Sequence, residues 1–326
     1  MNRTGIEAWA EALGPARTIA LISHTHPDGD TIGSALGLRL GLLSIGKDVD
    51  WFCEMPAPEQ VAFLPESDRV ITDISRARDS YDVAMSVDVS SPELMGSMIG
   101  VFERGRCRVV LDHHATNPGF GDVNFIRPGE CACTILAYEG MAALGVPVTP
   151  DMALCFMAGL STDSGHFMFS STTGHVFRIA GELRDRGVDM EDLTRRLYRS
   201  DSPRRVRMKA RAYQRLRFLY GGQVGVIAIS EQDLEECGCT REDLDGIVRI
   251  AQDVRGVRFA FMLTQSGRKV KISMRSFAPE TVRDLAERYG GGGHNQASGC
   301  TVEMTLAEAV VLVEKLAGEK LGETQK

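Results

Sequence analysis

The 326-residue chain has no apolar run near the roughly 20 residues that a membrane-spanning helix requires. Its opening stretch, MNRTGIEAWAEALG, lacks the apolar centre of a secretory signal. Eight cysteines occur, yet none forms a CxxC pair and their spacing builds no disulfide framework, so a reduced, cytoplasmic protein is expected. Positive charge is short as well. The 37 Lys and Arg residues face 44 Asp and Glu, a net charge of −7. An acidic chain is poorly equipped to grip long duplex nucleic acid, where many phosphates must be neutralised. It can still take a short anionic substrate if metal ions or a local basic patch supply positive charge. Repeats are absent, and the four glycines at 290–293 are the one low-complexity run.

The length calls for two domains rather than a single core. Short Val-, Ile- and Leu-rich stretches at 19–24, 48–53, 82–88 and 106–111 alternate with helical patterns such as Thr31–Leu43 and Thr134–Leu144. That alternation predicts an α/β fold whose N-terminal domain, residues 1–190, is a doubly wound, mostly parallel sheet with helices on both faces. Ligands of such sheets bind beyond the carboxyl ends of the strands. Residues 191–220 read as a linker helix, with Met208, Ala212, Leu216 and Leu219 at helical spacing. Residues 221–326 read as a smaller α/β domain with a mixed sheet. Its expected strands are Gln223–Ser230, 257–264 and 269–276, and its expected helices lie around Asp243–Val254, 280–289 and 305–319. The tail from Gly322 is expected to be loose.

Four polar stretches sit at the ends of apolar ones. His24-Thr-His26-Pro-Asp28-Gly-Asp30 follows the strand Ile19–Ser23 and places imidazole and carboxylate ligands in one small loop. Read alone, an Asp-Gly turn capping a helix accounts for it equally well. Asp88 ends Asp82–Val87, and Asp112-His113-His114 ends Arg108–Leu111. Adjacent histidines can point one ring at a metal and one at a substrate, with an Asp orienting an imidazole. Asp163 lies among small residues at the end of an apolar helix that starts near Asp151. Together, His24, Asp28, Asp30, Asp88, His113 and Asp163 form a nitrogen and oxygen set sufficient for two divalent ions sharing one carboxylate. No cysteine belongs to it, which disfavours a structural zinc site. The ligands suit Mn²⁺, with Mg²⁺, Co²⁺ or Fe²⁺ as alternatives. Two such ions about 3.5–4 Å apart can activate water and stabilise an in-line displacement at phosphorus.

In this order the motifs resemble those of the DHH phosphoesterases: HxxxDxD, an isolated strand-end Asp, Asp-His-His and Thr-Asp-Ser-Gly. The run Gly290-Gly-Gly-Gly-His294-Asn-Gln-Ala-Ser-Gly299 is similar to the signature of the DHH-associated substrate domain. The resemblance covers nearly the whole chain. It implies one Mn²⁺ on His24, Asp28 and Asp88, and a second on Asp30, Asp88, His113 and Asp163, with Asp88 bridging. It also implies that His114 contacts the scissile phosphate, that Asp112 orients the pair, and that His26 is peripheral.

In the substrate half, Val270, Ile272 and Met274 alternate with Lys271, Ser273 and Arg275, so one strand face packs and the other presents cations and a hydroxyl. Arg275 and Ser276 match the place where family members hold a substrate phosphate. The glycine run is no Walker loop. Gly291, Gly292 and Gly293 are expected to offer backbone N–H groups to an anion, and His294 to contact a phosphate or base. Arg204, Arg207, Arg211 and Arg215 share a helix face, which reads first as solvated and second as a basic wall steering polyanions. The CxC pairs Cys131/Cys133 and Cys237/Cys239 read as packing residues.

The expected function is that of the NrnA-type subgroup: a manganese-dependent two-metal phosphohydrolase. Enzymes of that type degrade very short RNA and remove the 3′-phosphate of 3′-phosphoadenosine 5′-phosphate. Hydrolysis of cyclic di-AMP or pApA is the alternative, since the motif residues are shared. A catalytically silent nucleotide sensor is the alternative of a different class, and the intact ligand set argues against it. Short RNA or small nucleotides are the expected partners, without long duplexes or membrane, and a homodimer is compatible with the motifs.

Overall fold

A computed structural model of the chain describes residues 3–324. The path divides between Ser200 and Asp201 into two units. The first opens with β1 (Arg3–Thr4), α1 (Gly5–Leu13), β2 (Thr18–Ile22), α2 (Gly29–Ser44), β3 (Asp48–Phe52) and β4 (Tyr81–Val87). It continues through α3 (Ile99–Phe102), β5 (Gly105–Asp112), β6 (Val123–Ile126), α4 (Cys133–Ala143), α5 (Pro150–Asp163), α6 (Gly174–Asp185) and α7 (Met190–Tyr198). All six strands run parallel, in the order β1-β6-β5-β4-β2-β3.

Apolar residues of α1, α2, α4 and α5, among them Trp9, Leu36, Ile135 and Phe156, cover one face of this sheet. Met95, Met98, Val101 and Phe102, on and before α3, cover the other. From β2 the chain passes to β3 on one side and returns to β4 on the other, so the winding reverses between β2 and β4. A crevice opens at the carboxyl ends of strands where winding reverses. Two glycines set how closely the layer above packs. A Cβ at Gly33 would lie 2.4 Å from the Cys155 carbonyl oxygen, and one at Gly37 would lie 2.1 Å from the Phe156 ring. Bare backbone at these positions lets α2 lie directly against α5, with Asp30 at the start of one and Asp163 at the end of the other.

The second unit runs α8 (Pro203–Arg215), β7 (Leu216–Leu219), β8 (Val224–Ile229), α9 (Glu231–Cys237), α10 (Arg249–Gln252) and β9 (Phe259–Ser266). β10 (Lys269–Ser276), α11 (Arg283–Glu287), β11 (Gly292–His294), β12 (Ala297–Glu303) and α12 (Leu306–Thr324) complete it. Its sheet order is β11-β12-β10-β9-β8-β7, with β8 and β9 parallel and the other neighbours antiparallel. Among the described residues no helix is long and apolar enough to cross a membrane.

Several local expectations need correction. The helix expected to reach Tyr220 stops at Arg215, where Leu216 turns extended and starts the edge strand β7. The helix around Asp243–Val254 is broken, since Gly246 adopts a positive φ of 72° and only Arg249–Gln252 is α-helical. Gly322, expected in a loose tail, belongs to α12, whose start is held by reciprocal Thr305 and Glu308 hydrogen bonds.

The cationic face of α8 is partly solvent-exposed, as expected, but its guanidiniums are tied to neighbours rather than standing as a basic wall. Arg204 Nε donates to Asp243 Oδ1 at 2.9 Å and Arg207 Nε to the Cys237 carbonyl at 3.2 Å. Arg211 and Arg215 converge on Asp233 at 2.5 and 2.9 Å, and Arg211 also reaches Glu236 at 2.8 Å. These guanidiniums bind α8 to its own unit. Asp233 is 2% exposed. Burial pushes its carboxyl up, but the Ser230 amide and the two guanidiniums outweigh that and hold it well below the ordinary 3.8. A carboxyl depressed on folding adds stability above its unfolded pKa and loses it as the pH falls. Asp233→Asn should therefore lose about 2 kcal/mol at pH 7. Urea unfolding followed by circular dichroism should show the gap to wild type narrowing below about pH 4.

Candidate metal centre

Three adjacent strands, β2, β4 and β5, end where the polar stretches begin. After β2, Asp28 takes the N-cap of α2 and accepts from the amides of Asp30 and Thr31 at 3.0 and 3.1 Å. That cap fixes the loop carrying His24, while His26 stays at the exposed rim beside Thr25. Asp30, in the first turn of α2, is fully buried. Its oxygens accept from the first amides of α4, Cys133 at 2.6 Å and Thr134 at 3.0 Å, and from the Thr134 hydroxyl. The positive end of a helix thus faces this buried carboxylate.

Asp88 follows β4 with a φ of 60°, a left-handed conformation that non-glycine residues seldom adopt. It turns the side chain in among the other candidate ligands, while its amide still bonds the Leu111 carbonyl at 2.9 Å. Asp88 is 3% exposed, and its Oδ1 is buried with no hydrogen-bond partner. That oxygen lies 3.5 Å from His113 Nε2 and 3.6 Å from His114 Nδ1, and Asp88 Oδ2 lies 3.8 Å from His24 Nε2. His24 Nε2 is also 3.8 Å from Asp28, and His113 Nε2 is 3.8 Å from Asp30 and 3.4 Å from Asp163.

The tautomer of His113 follows from its neighbour. Nδ1 lies 2.9 Å from the Glu130 carbonyl, which can only accept, so Nδ1 carries the proton. When the ring is neutral, Nε2 presents a lone pair to the oxygens of Asp30, Asp88 and Asp163. Lone pairs facing one another at 3.4–3.8 Å repel unless a cation sits between them. Two ligands about 2.1 Å from a common metal lie about 3–3.5 Å apart. The donor set therefore fits divalent metal, in groups of His24, Asp28 and Asp88 and of Asp30, His113 and Asp163 joined through Asp88 and His113.

Electrostatics agree with the geometry. Burial, then the charges of Asp30, Asp28 and Asp163, push the Asp88 carboxyl well above its ordinary range. Burial and the charges of Asp30 and Asp28 push Asp163 up, and burial raises Asp30. His114 is held differently. Its Nδ1 pairs with Asp112 Oδ1 at 2.8 Å, and Asn117 donates to the other Asp112 oxygen at 2.6 Å. Burial lowers the His114 pKa, but Asp112 outweighs it and the net direction is up. Asn117 and Thr134 were not among the sequence-read residues. Asn117, three residues after His114, gave a weak signal, whereas Thr134 reaches Asp30 from 104 residues away.

The second-unit residues are placed less openly. Arg275 Nη1 donates to the Met274 carbonyl at 2.9 Å. Ser276 is 2% exposed and its hydroxyl donates to the Glu280 carbonyl at 3.1 Å, so that group is used inside the fold. The glycine run forms part of a hairpin with β12 rather than a loop. A Cβ at Gly291 would lie 2.1 Å from the Gly299 carbonyl oxygen and one at Gly293 2.5 Å from that of Ala297, while Gly292 faces open space. The His294 side chain lies outside the described residues.

Family models match both units: the DHH family N-terminal domain over residues 18–160 and the DHHA1 domain over residues 220–319. A Thermus thermophilus protein named bifunctional oligoribonuclease and PAP phosphatase NrnA is 30% identical over 304 residues, 93% of this chain and 90% of its own. The chain belongs to the DHH family. A Bacillus subtilis protein of the same name is 24% identical to this DHH protein, over 87% of this chain and 89% of its own. The crystal structure of an exopolyphosphatase-related protein from Bacteroides fragilis superposes with a TM-score of 0.92 at 25% identity, covering 98% and 97% of the two chains.

If the buried carboxylates of this DHH protein await a cation, removing one charge should help the metal-free form. Asp88→Asn is expected to raise the metal-free melting temperature by about 3–6 °C. It should also abolish the stabilisation, about 2.7 kcal/mol at a hundredfold excess over Kd, that Mn²⁺ or Mg²⁺ gives the wild type. Thermal melts with chelator and with metal check both. A destabilised variant that kept the metal response would contradict the assignment.

Proposed function

We propose that the chain is a two-metal phosphohydrolase of short oligoribonucleotides that also removes the 3′-phosphate of 3′-phosphoadenosine 5′-phosphate. The observation carrying this reading is the orphaned Asp88 carboxylate oxygen, set among two imidazoles at the point where the sheet's winding reverses. The names of the T. thermophilus and B. subtilis relatives support the substrate class. In this reading His24, Asp28 and Asp88 hold one ion and Asp30, Asp88, His113 and Asp163 the other. The nitrogen and oxygen donors favour Mn²⁺. When bound, the pair supplies Lewis-acid activation of water and neutralises charge at phosphorus.

The chain's own residues do the positioning. Glu130 fixes the His113 tautomer through its carbonyl, and Asn117 holds Asp112, which holds His114. Asp112 engages Nδ1, and in this reading the Nε2 side of His114 contacts a phosphate oxygen of the substrate. An imidazole whose pKa is raised spends more time as a cation and donates to that oxygen more strongly. Arg275 binds a substrate phosphate from the second unit.

Product analysis with Mn²⁺ tests this on 3′-phosphoadenosine 5′-phosphate, a 5′-labelled RNA dimer and pentamer, pApA, cyclic di-AMP and pyrophosphate. Rapid loss of the first two is expected. Preference for cyclic di-AMP or pyrophosphate would overturn the substrate assignment. Asp112→Asn should lower turnover about 10–100-fold while leaving metal stoichiometry unchanged, because it frees the His114 ring without touching a ligand.

A further inference from the structure

Residues 127–134, which lead from β6 into α4, touch two of the candidate metal ligands. The Glu130 carbonyl lies 2.9 Å from His113 Nδ1, and the Cys133 and Thr134 amides donate to Asp30 at 2.6 and 3.0 Å. A shift of this segment would loosen both contacts together. Ligands are held only as well as the residues behind them, so what fixes the segment bears on the centre itself.

Arg127 is bonded at each end of it. Its amide donates to the carbonyl of Asp112, one residue before His113, at 3.1 Å, and its carbonyl accepts from the Glu130 amide at 3.2 Å. Its Nη1 donates to Glu130 Oε2 at 3.2 Å, while Glu130 Oε1 accepts from the Cys131 amide at 3.1 Å. With its amide and both carboxylate oxygens engaged, Glu130 keeps its carbonyl turned to the His113 ring. The other arm, Arg127 Nη2, donates at 2.6 Å to Glu139 Oε2, in the second turn of α4. Glu139 Oε1 in turn lies 3.1 Å from His175 Nε2 on α6. The guanidinium rests over the Phe125 ring, its carbon 5.6 Å from the centroid. One planar fork thus spans a loop and a helix, which the single ammonium of a lysine does only in part. The Arg127 side chain is 39% exposed, and ion pairs this open to water add little to global stability. Its effect is local.

We propose that Arg127 is a positioning residue of the candidate metal centre. By clamping Glu130 to Glu139 it holds the Glu130 carbonyl on His113 and the start of α4 on Asp30. It acts through these neighbours and supplies no ligand atom of its own. The consequence for metal binding rests on the two-metal reading, whereas the consequence for the His113 ring is read without metal.

Ring ¹⁵N spectra of the histidine-labelled full chain, in alkaline buffer with chelator, read the neutral His113 ring directly. Wild type should carry the proton on Nδ1, Arg127→Ala should show a mixture of both tautomers, and Arg127→Lys should stay close to wild type. Calorimetric titration with Mn²⁺ should give a Kd raised about tenfold in Arg127→Ala and about threefold in Arg127→Lys. The metal-free melting temperature should move by less than about 4 °C in either. Glu139→Gln loosens the same clamp from the helix side and should raise the Kd about threefold, which keeps the test open should Arg127→Ala not fold. A wild-type His113 spectrum with unchanged Mn²⁺ affinity in Arg127→Ala or, failing that variant, in Glu139→Gln would overturn the proposal. So would an affinity loss that appears only alongside a large fall in melting temperature. A mixed tautomer in Arg127→Ala, in a protein whose wild type binds no Mn²⁺, would support the clamp and overturn the metal reading.

Discussion

Burial of the Asp88 carboxylate, compounded by neighbouring acids, is the constraint around which the first unit's polar cluster is arranged. Desolvated carboxylates near one another disfavour their own ionised forms, and here burial is compounded by Asp30, Asp28 and Asp163. The fold offsets this only in part. The first amides of α4 face Asp30, and the α2 N-terminus faces Asp28. Asp88 Oδ1 receives nothing. A carboxylate left in that condition would be balanced by a cation, for which the neighbouring imidazole nitrogens are candidate donors.

Close packing of α2 on α5 makes the arrangement achievable. Were Gly33 or Gly37 to carry a side chain, α2 would be pushed off α5, and Asp30 and Asp163 would separate. The parallel sheet brings β2, β4 and β5 side by side, so their three carboxyl-end loops open at one place. The buried core thereby supports a polar cluster that is unfavourable without its counter-ions, a common distribution of strain between scaffold and site.

Much of the first unit was legible in the sequence because its central strands are apolar runs flanked by turn residues. The expected stretches near 19, 48, 82 and 106 correspond to β2, β3, β4 and β5 within two residues at each end. The two-residue β1 and the short β6 carry too little pattern to be recognised. In the second unit, glycine-rich β11 has no side-chain alternation to reveal it as a strand, and close backbone approach to β12 became visible only in three dimensions. The α8 cations were legible as charges but not as ties, because Asp233 and Asp243 lie 18–39 residues away in the chain. Sequence spacing likewise brought the six candidate ligands to notice while leaving Asn117 and the Glu130 carbonyl, which orient the histidines, unremarked.

The central claim is that Asp88 joins two metal positions in one centre. Electron paramagnetic resonance of the full chain titrated with Mn²⁺ tests it directly. The account predicts binding of two ions per chain and an exchange-coupled spectrum as the second site fills. A single ion at saturation, or two ions with the spectrum of isolated Mn²⁺, would contradict it.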